Sequence, residues 1–110
     1  VYDNVNSISH RGDFARACVE LWERGAPFGI YNITNPGFIT THEVVRLIQK
    51  LLKPNRQFDF WKDDAEFYRV AAKTPRSNCV LDVSKLLNAG VQLRPVREAI
   101  EDSLKSWKKA

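Results

Sequence analysis

Gly29 to Leu52 reads GIYNITNPGFITTHEVVRLIQKLL, and the fold is organised around it. Gly29 to Thr34 is rich in β-branched and aromatic residues, which suit a pleated, half-buried surface and predict a buried strand. Asn35-Pro36-Gly37 stops that strand, because proline cannot donate to a ladder and glycine frees the backbone to turn. Thr40 with Glu43 fits a capping box, in which the hydroxyl takes an orphan amide and the carboxylate reaches back. Val44, Leu47, Ile48 and Leu51 then recur at helical spacing and predict one apolar face. Nothing in this stretch is catalytic chemistry; it is a scaffold that other elements must cover.

Working outward toward the N-terminus, Phe14, Ala17, Cys18, Leu21 and Trp22 fall on one face of a helix predicted from Arg11 to Arg24. Gly25 is its expected stop, with Pro27 just beyond. Val1 to Ile8 reads as an extended entry. Toward the C-terminus, Lys53-Pro54-Asn55 breaks the central helix, and Gln57 to Trp61 alternates like a short strand. Asp63 or Asp64 caps a short helix carrying Phe67, Val70 and Ala71, and Thr74-Pro75 ends it. Asp82 is expected to cap another, with Val83, Leu86 and Leu87 inward and Gly90 closing it. Pro95 suits the first turn of a last helix whose buried face is Val96, Ala99, Ile100, Leu104 and Trp107. Helices and short strands mix without regular βαβ alternation, so the class is α+β.

A chain of 110 residues makes one domain at most, and its 44% hydrophobic and 27% charged content is that of a globular protein. No run approaches the length of a membrane span, and no signal-peptide pattern opens the chain. The first residue is Val rather than Met, in keeping with a fragment or a processed product. The net charge of +4 could mean a nucleic-acid partner. The bases are scattered, however, and the densest cluster, Lys105, Lys108 and Lys109, reads as a solvated helix end complementing the helix dipole. Cys18 and Cys79 lie far apart and read as free, buried thiols of a reducing cytosol.

The glycines, Gly12, Gly25, Gly29, Gly37 and Gly90, make no phosphate-cradling pattern. There is no Walker loop and no metal-ligand cluster, and His10 and His42 read as a structural and a surface residue. Asp63, Asp64 and Glu66 read as a solvated helix start. One segment stands apart: Thr74-Pro-Arg-Ser-Asn-Cys-Val-Leu-Asp82. Pro75 fixes the approach to Arg76, and Arg76, Ser77 and Asn78 carry donors for an anion or a sugar; a guanidinium fork matches phosphate oxygens bidentately. The competing reading has Arg76 paired with a carboxylate and Asn78 satisfying a turn.

Four blocks, NSISH (6–10), YNITNPG (31–37), THEVV (41–45) and PRSNCVLD (75–82), resemble the C-terminal part of the extended short-chain dehydrogenase/reductase superfamily. Within this NAD-dependent epimerase/dehydratase group the resemblance is to nucleotide-linked 4-dehydrorhamnose reductases, and it covers nearly the whole chain. It implies that residues 1–110 are a small helical lobe with short strands, packed in the parent against an N-terminal Rossmann domain with the substrate between them. It implies a cytoplasmic protein of rhamnose biosynthesis, with a nucleotide sugar as substrate, NAD(P)H for the parent, and room for a homodimer. By the same resemblance Arg76, with Asn78 and Ser77, faces the sugar nucleotide. The parent's reaction would be hydride delivery from NAD(P)H to the C4 ketone of a nucleotide-linked 4-keto-6-deoxyhexose. The family's Tyr-x-x-x-Lys pair is absent: Tyr2, Tyr31 and Tyr68 are followed four residues later by Asn6, Asn35 and Ala72. No catalytic, cofactor or metal residue is therefore expected in this chain, and neither a nucleic-acid nor a membrane partner. The alternative is a non-catalytic regulatory or interaction member of the same superfamily.

Overall fold

The structure, a computed structural model, describes residues 1–75 and 77–108. Strand β1 (Val5–Asn6) pairs antiparallel with β2 (Ile39–Thr40), Val5 opposite Thr40 and Asn6 opposite Ile39. Five helices accompany them: α1 (Arg11–Glu23), α2 (Thr41–Leu51), α3 (Asp64–Val70), α4 (Ser84–Asn88) and α5 (Val96–Lys105). The class is α+β, as expected.

The chain's local signals set the helix ends. The Thr40 hydroxyl accepts from Glu43 N at 3.2 Å, and Glu43 Oε2 accepts from Thr40 N at 3.0 Å, which completes the capping box. Asp63 accepts from Glu66 N at 2.8 Å and starts α3. Gly25 and Gly90 follow α1 and α4 with φ of 59° and 90°, a left-handed turn that closes each helix. Asp82 does not cap α4 from the position expected; Val83 stands there, and the Asp82 carboxylate takes Ser84 N at 2.8 Å from one residue earlier.

Two small cores hold the molecule. Ala17, Leu86 and Val91 pack with Leu21, Tyr31, Ile33 and Leu93. Ile39, Leu47 and Val96 pack with Ile8, Val44, Ile100 and Leu104, which seats α5 on α2. Near the N-terminus, Tyr2 stacks on Phe67 with ring centroids 4.0 Å apart, and Trp61 meets the Phe67 ring edge-on.

Several expectations are corrected. Residues 29–34 form no strand, and neither do 57–61. The side chains of Tyr31 and Ile33 turn inward while Phe28 and Ile30 stay exposed. The pattern of a strand is therefore present without a neighbouring strand to pair with. On α1 only the Ala17–Leu21 side is covered; Phe14, Cys18 and Trp22 lie in solvent. Cys18 and Cys79 are free, but both are exposed rather than buried. Trp107 lies past the end of α5 and is also exposed.

Candidate functional site

Residues 78–81 run beside β1. Cys79 N donates to Val5 O at 3.1 Å, Ser7 N donates to Cys79 O at 2.6 Å, and Leu81 N donates to the Ser7 hydroxyl at 2.9 Å. These bonds make Asn6 and Cys79 an isolated parallel bridge. Asn32 Nδ2 donates to Asp82 O at 2.9 Å and ties the far end of the segment to residues 29–34.

Ser77 and Asn78 sit on this exposed lip. Asn78 uses its side-chain oxygen on Val5 N at 2.9 Å, so part of its capacity goes to holding the segment against β1. Its amide nitrogen and the Ser77 hydroxyl have no hydrogen-bond partner among the described residues, which leaves both as donors toward solvent. Arg76, the third candidate, lies outside the described residues, as does Lys109 of the basic tail.

A second polar constellation was not legible in the sequence. Asp13, only 6% exposed, receives a two-pronged grip from Arg94: Nε donates to Oδ2 at 3.0 Å and a terminal nitrogen donates to Oδ1 at 3.0 Å. Asn35 Nδ2 donates to Asp13 Oδ2 at 2.8 Å and to Arg94 O at 3.0 Å, while Asn35 Oδ1 accepts from His10 N at 2.7 Å. His10 caps α1 by accepting from Asp13 N at 3.2 Å, and Arg94 reaches on to Asp102 at 3.0 Å. Burial pushes the Asp13 carboxyl up, but the bonds from Arg94 and Asn35 and the positive charge of Arg94 outweigh it, so it titrates below its ordinary value. The bonds that Arg94 donates to Asp13, and next the one it donates to Asp102, raise Arg94 in turn.

This cluster is a fastener rather than a reaction centre. It joins the start of α1, the 33–36 turn, the approach to α5 and α5 itself. It also explains two of the four sequence blocks: the His10 end of NSISH and the Asn35 of YNITNPG meet here. THEVV carries the capping-box glutamate. In PRSNCVLD, Ser77 and Asn78 are exposed.

The Tyr2 hydroxyl, hydrogen-bonded to Tyr68 at 3.2 Å, is pushed up to about 12, chiefly by that bond and then by burial and Asp64. No group of three or more His, Cys, Asp or Glu side chains could hold a metal among the described residues. His42 stacks on Phe60 at 3.7 Å as a surface pair. None of the described helices is long and apolar enough to cross a membrane.

An apolar stripe is exposed on the surface. Trp22 is 85% exposed, Phe28 fully so and Ile30 88%, and Trp22 and Phe28 line a common concavity with Leu21 and Ala26. Phe14 and Cys18, eight and four residues before Trp22, continue the stripe along α1. Lys85 reaches across to this segment, donating to Ile30 O at 3.0 Å with its ammonium 4.4 Å from the Tyr31 ring centre.

No protein-family model matches the chain. It is 29% identical over 101 residues to a bifunctional dTDP-4-dehydrorhamnose 3,5-epimerase/dTDP-4-dehydrorhamnose reductase of Arabidopsis thaliana, covering 91% of this chain and 32% of that protein. It is 26% identical over 95 residues to a trifunctional Arabidopsis UDP-glucose 4,6-dehydratase/UDP-4-keto-6-deoxy-D-glucose 3,5-epimerase/UDP-4-keto-L-rhamnose reductase, covering 86% of this chain and 14% of that one. The fold is similar to a UDP-rhamnose synthase of Acanthamoeba polyphaga mimivirus, with a TM-score of 0.80 and 20% identity over 97% of this chain and 36% of that one. The chain thus spans about a third or less of the length of each of these proteins.

Proposed function

We propose, for a chain whose homologues are sugar-nucleotide reductases and epimerases of rhamnose synthesis, that residues 1–110 are the C-terminal substrate-binding lobe of such an enzyme. In that reading the lobe packs against a Rossmann-type nucleotide-binding domain of the extended short-chain dehydrogenase/reductase kind. It orients a nucleotide-linked 4-keto-6-deoxyhexose for reduction by NAD(P)H, with Arg76, Ser77 and Asn78 toward the sugar nucleotide. The working compartment is the cytoplasm, in keeping with two unpaired thiols.

The observation that carries this reading is surplus surface. A self-sufficient monomer of 12.7 kDa exposes about 6,200 Å², whereas this chain exposes 8116 Å². The excess, about 1,900 Å² on this chain alone, is of the size that one side of a large, obligate interface buries. The radius of gyration, 16.7 Å, likewise exceeds the roughly 13 Å of a closed domain of this length. Residues 28–34 fit the picture: a strand-like sequence with Phe28 and Ile30 outward and no ladder partner among the described residues. Beside it the Thr34 hydroxyl is buried without a hydrogen bond.

The described residues do not fit NAD(P)H. None of the three longer helices opens on a glycine-rich turn: α1 follows His10, α2 follows Thr40 and α5 follows Pro95. The hydride and the proton are therefore assigned to residues outside this chain. What the lobe supplies is position, and holding a substrate in reactive geometry is worth several kcal/mol of a barrier when a whole site shares the task.

The apolar stripe gives the test. Trp22→Ser with Phe28→Ser should change the unfolding free energy of the 110-residue chain by less than about 0.5 kcal/mol, the usual range for surface sites. In a protein that also carries the nucleotide-binding domain, the same pair should loosen the two domains and depress turnover. A loss above about 1.5 kcal/mol in the chain alone would show that these side chains serve its own core.

A further inference from the structure

A second apolar concavity lies where α2 and α5 end. It has a volume of about 350 Å³ and is lined by Ile48, Leu52, Phe58, Leu104 and Trp107, with Lys53 and Arg56 completing the wall. Ile48 of α2 and Leu104 of α5 meet there, with Leu52 and Trp107 just beyond the ends of those helices. The chain then doubles back through Lys53 to Phe58, held by Gln49 Nε2 donating to Arg56 O at 2.8 Å. Among the described residues no carboxylate lines the concavity. Neither Lys53 nor Arg56 pairs with an acid among the described residues, and the Arg56 guanidinium lies 5.6 Å from the Phe58 ring centre.

We infer that this groove takes a small amphiphilic anion: one alkyl chain of medium length ending in a carboxylate. The volume falls within the range of small-molecule sites and is too small for a docked helix. The lining offers apolar contact and almost no hydrogen-bonding group, which suits a hydrocarbon tail better than a nucleobase or a sugar. The two cations at one side supply the complement for a negative headgroup. The groove shares no residue with the Trp22–Phe28–Ile30 stripe or with Ser77 and Asn78, so the inference stands or falls separately from the proposed function.

The probes are octanoate and decanoate below their micellar range, read by amide chemical shifts of the 110-residue chain. The expected result is saturable one-to-one binding with shifts centred on Ile48, Leu52, Phe58, Leu104 and Trp107. Decanoate should bind about fifteen-fold tighter than octanoate, since each of its two extra buried methylenes is worth about four-fold. Lys53→Gln with Arg56→Gln should weaken decanoate about five-fold while leaving the far-ultraviolet spectrum unchanged. Decyltrimethylammonium should bind the native chain more weakly than decanoate does. The inference is overturned if binding does not saturate, if the shifts centre on Trp22 and Phe28, or if removing both cations leaves decanoate affinity unchanged.

Discussion

Asp13→Ala is expected to lower the unfolding free energy by about 3 kcal/mol, the lower end of what breaking a buried ion pair costs. The figure sits at the low end because Arg94 keeps Asp102 as a partner and remains partly exposed. Three bonds are lost at once: two from Arg94 and one from Asn35, both of which ordered the start of α1 against the approach to α5. For a domain whose whole stability is on the order of 5–15 kcal/mol, that loss shows as a large fall in the urea midpoint. The acid limb gives an independent reading. Asp13 binds its proton less readily folded than unfolded, so its contribution is complete above the unfolded value of 3.8 and fades as the pH falls through the lower folded value. Asp13→Asn should remove that share of the acid sensitivity. Glu43 and Asp82 are also lowered, by the Thr40 and Ser84 bonds respectively, and keep theirs. A native-minus-variant stability difference that stays flat below pH 3.8 would show that Asp13 contributes nothing through its charge.

Arg76→Ala, made in the longer enzyme proposed above, is expected to raise KM for the nucleotide sugar about ten- to a hundred-fold. Hydrogen bonds to charged groups contribute about 1.5–3 kcal/mol, and 1.4 kcal/mol is a factor of ten. A residue that holds the substrate equally in ground and transition states moves KM while leaving kcat near its native value. Asn78→Ala should act differently, because the Asn78 oxygen also holds Val5 N and its loss disturbs the β1 edge. An unchanged KM for Arg76→Ala would remove that residue from the site.

The Thr40 and Asp63 caps, the Gly25 and Gly90 stops and the α2 face were legible because each depends on residues within one or two turns, whereas the Asp82 cap was misplaced by one residue and the His10 cap of α1 was not foreseen. The failures share a cause. A strand is defined by its partner, and GIYNIT carries the composition of one without any ladder neighbour among the described residues. The α1 stripe was read as buried because an apolar face says that something covers it, not that the cover belongs to the same chain. Asp13 and Arg94 lie 81 residues apart, and Asn35 looked like a turn residue because its Pro-Gly sequel dominates the local signal. No spacing rule joins them. The PRSN segment could be singled out by its donors, while the share of Asn78 that goes to Val5 could come only from the folded chain.

The central claim is that this lobe is one wall of a site whose redox machinery lies in other residues. The most direct measurement is NADPH and NADH oxidation by the purified 110-residue chain, supplied with dTDP- or UDP-linked 4-keto-6-deoxyhexose. The account predicts no turnover above the uncatalysed rate. Steady oxidation by this polypeptide alone, abolished by unfolding it, would contradict the account.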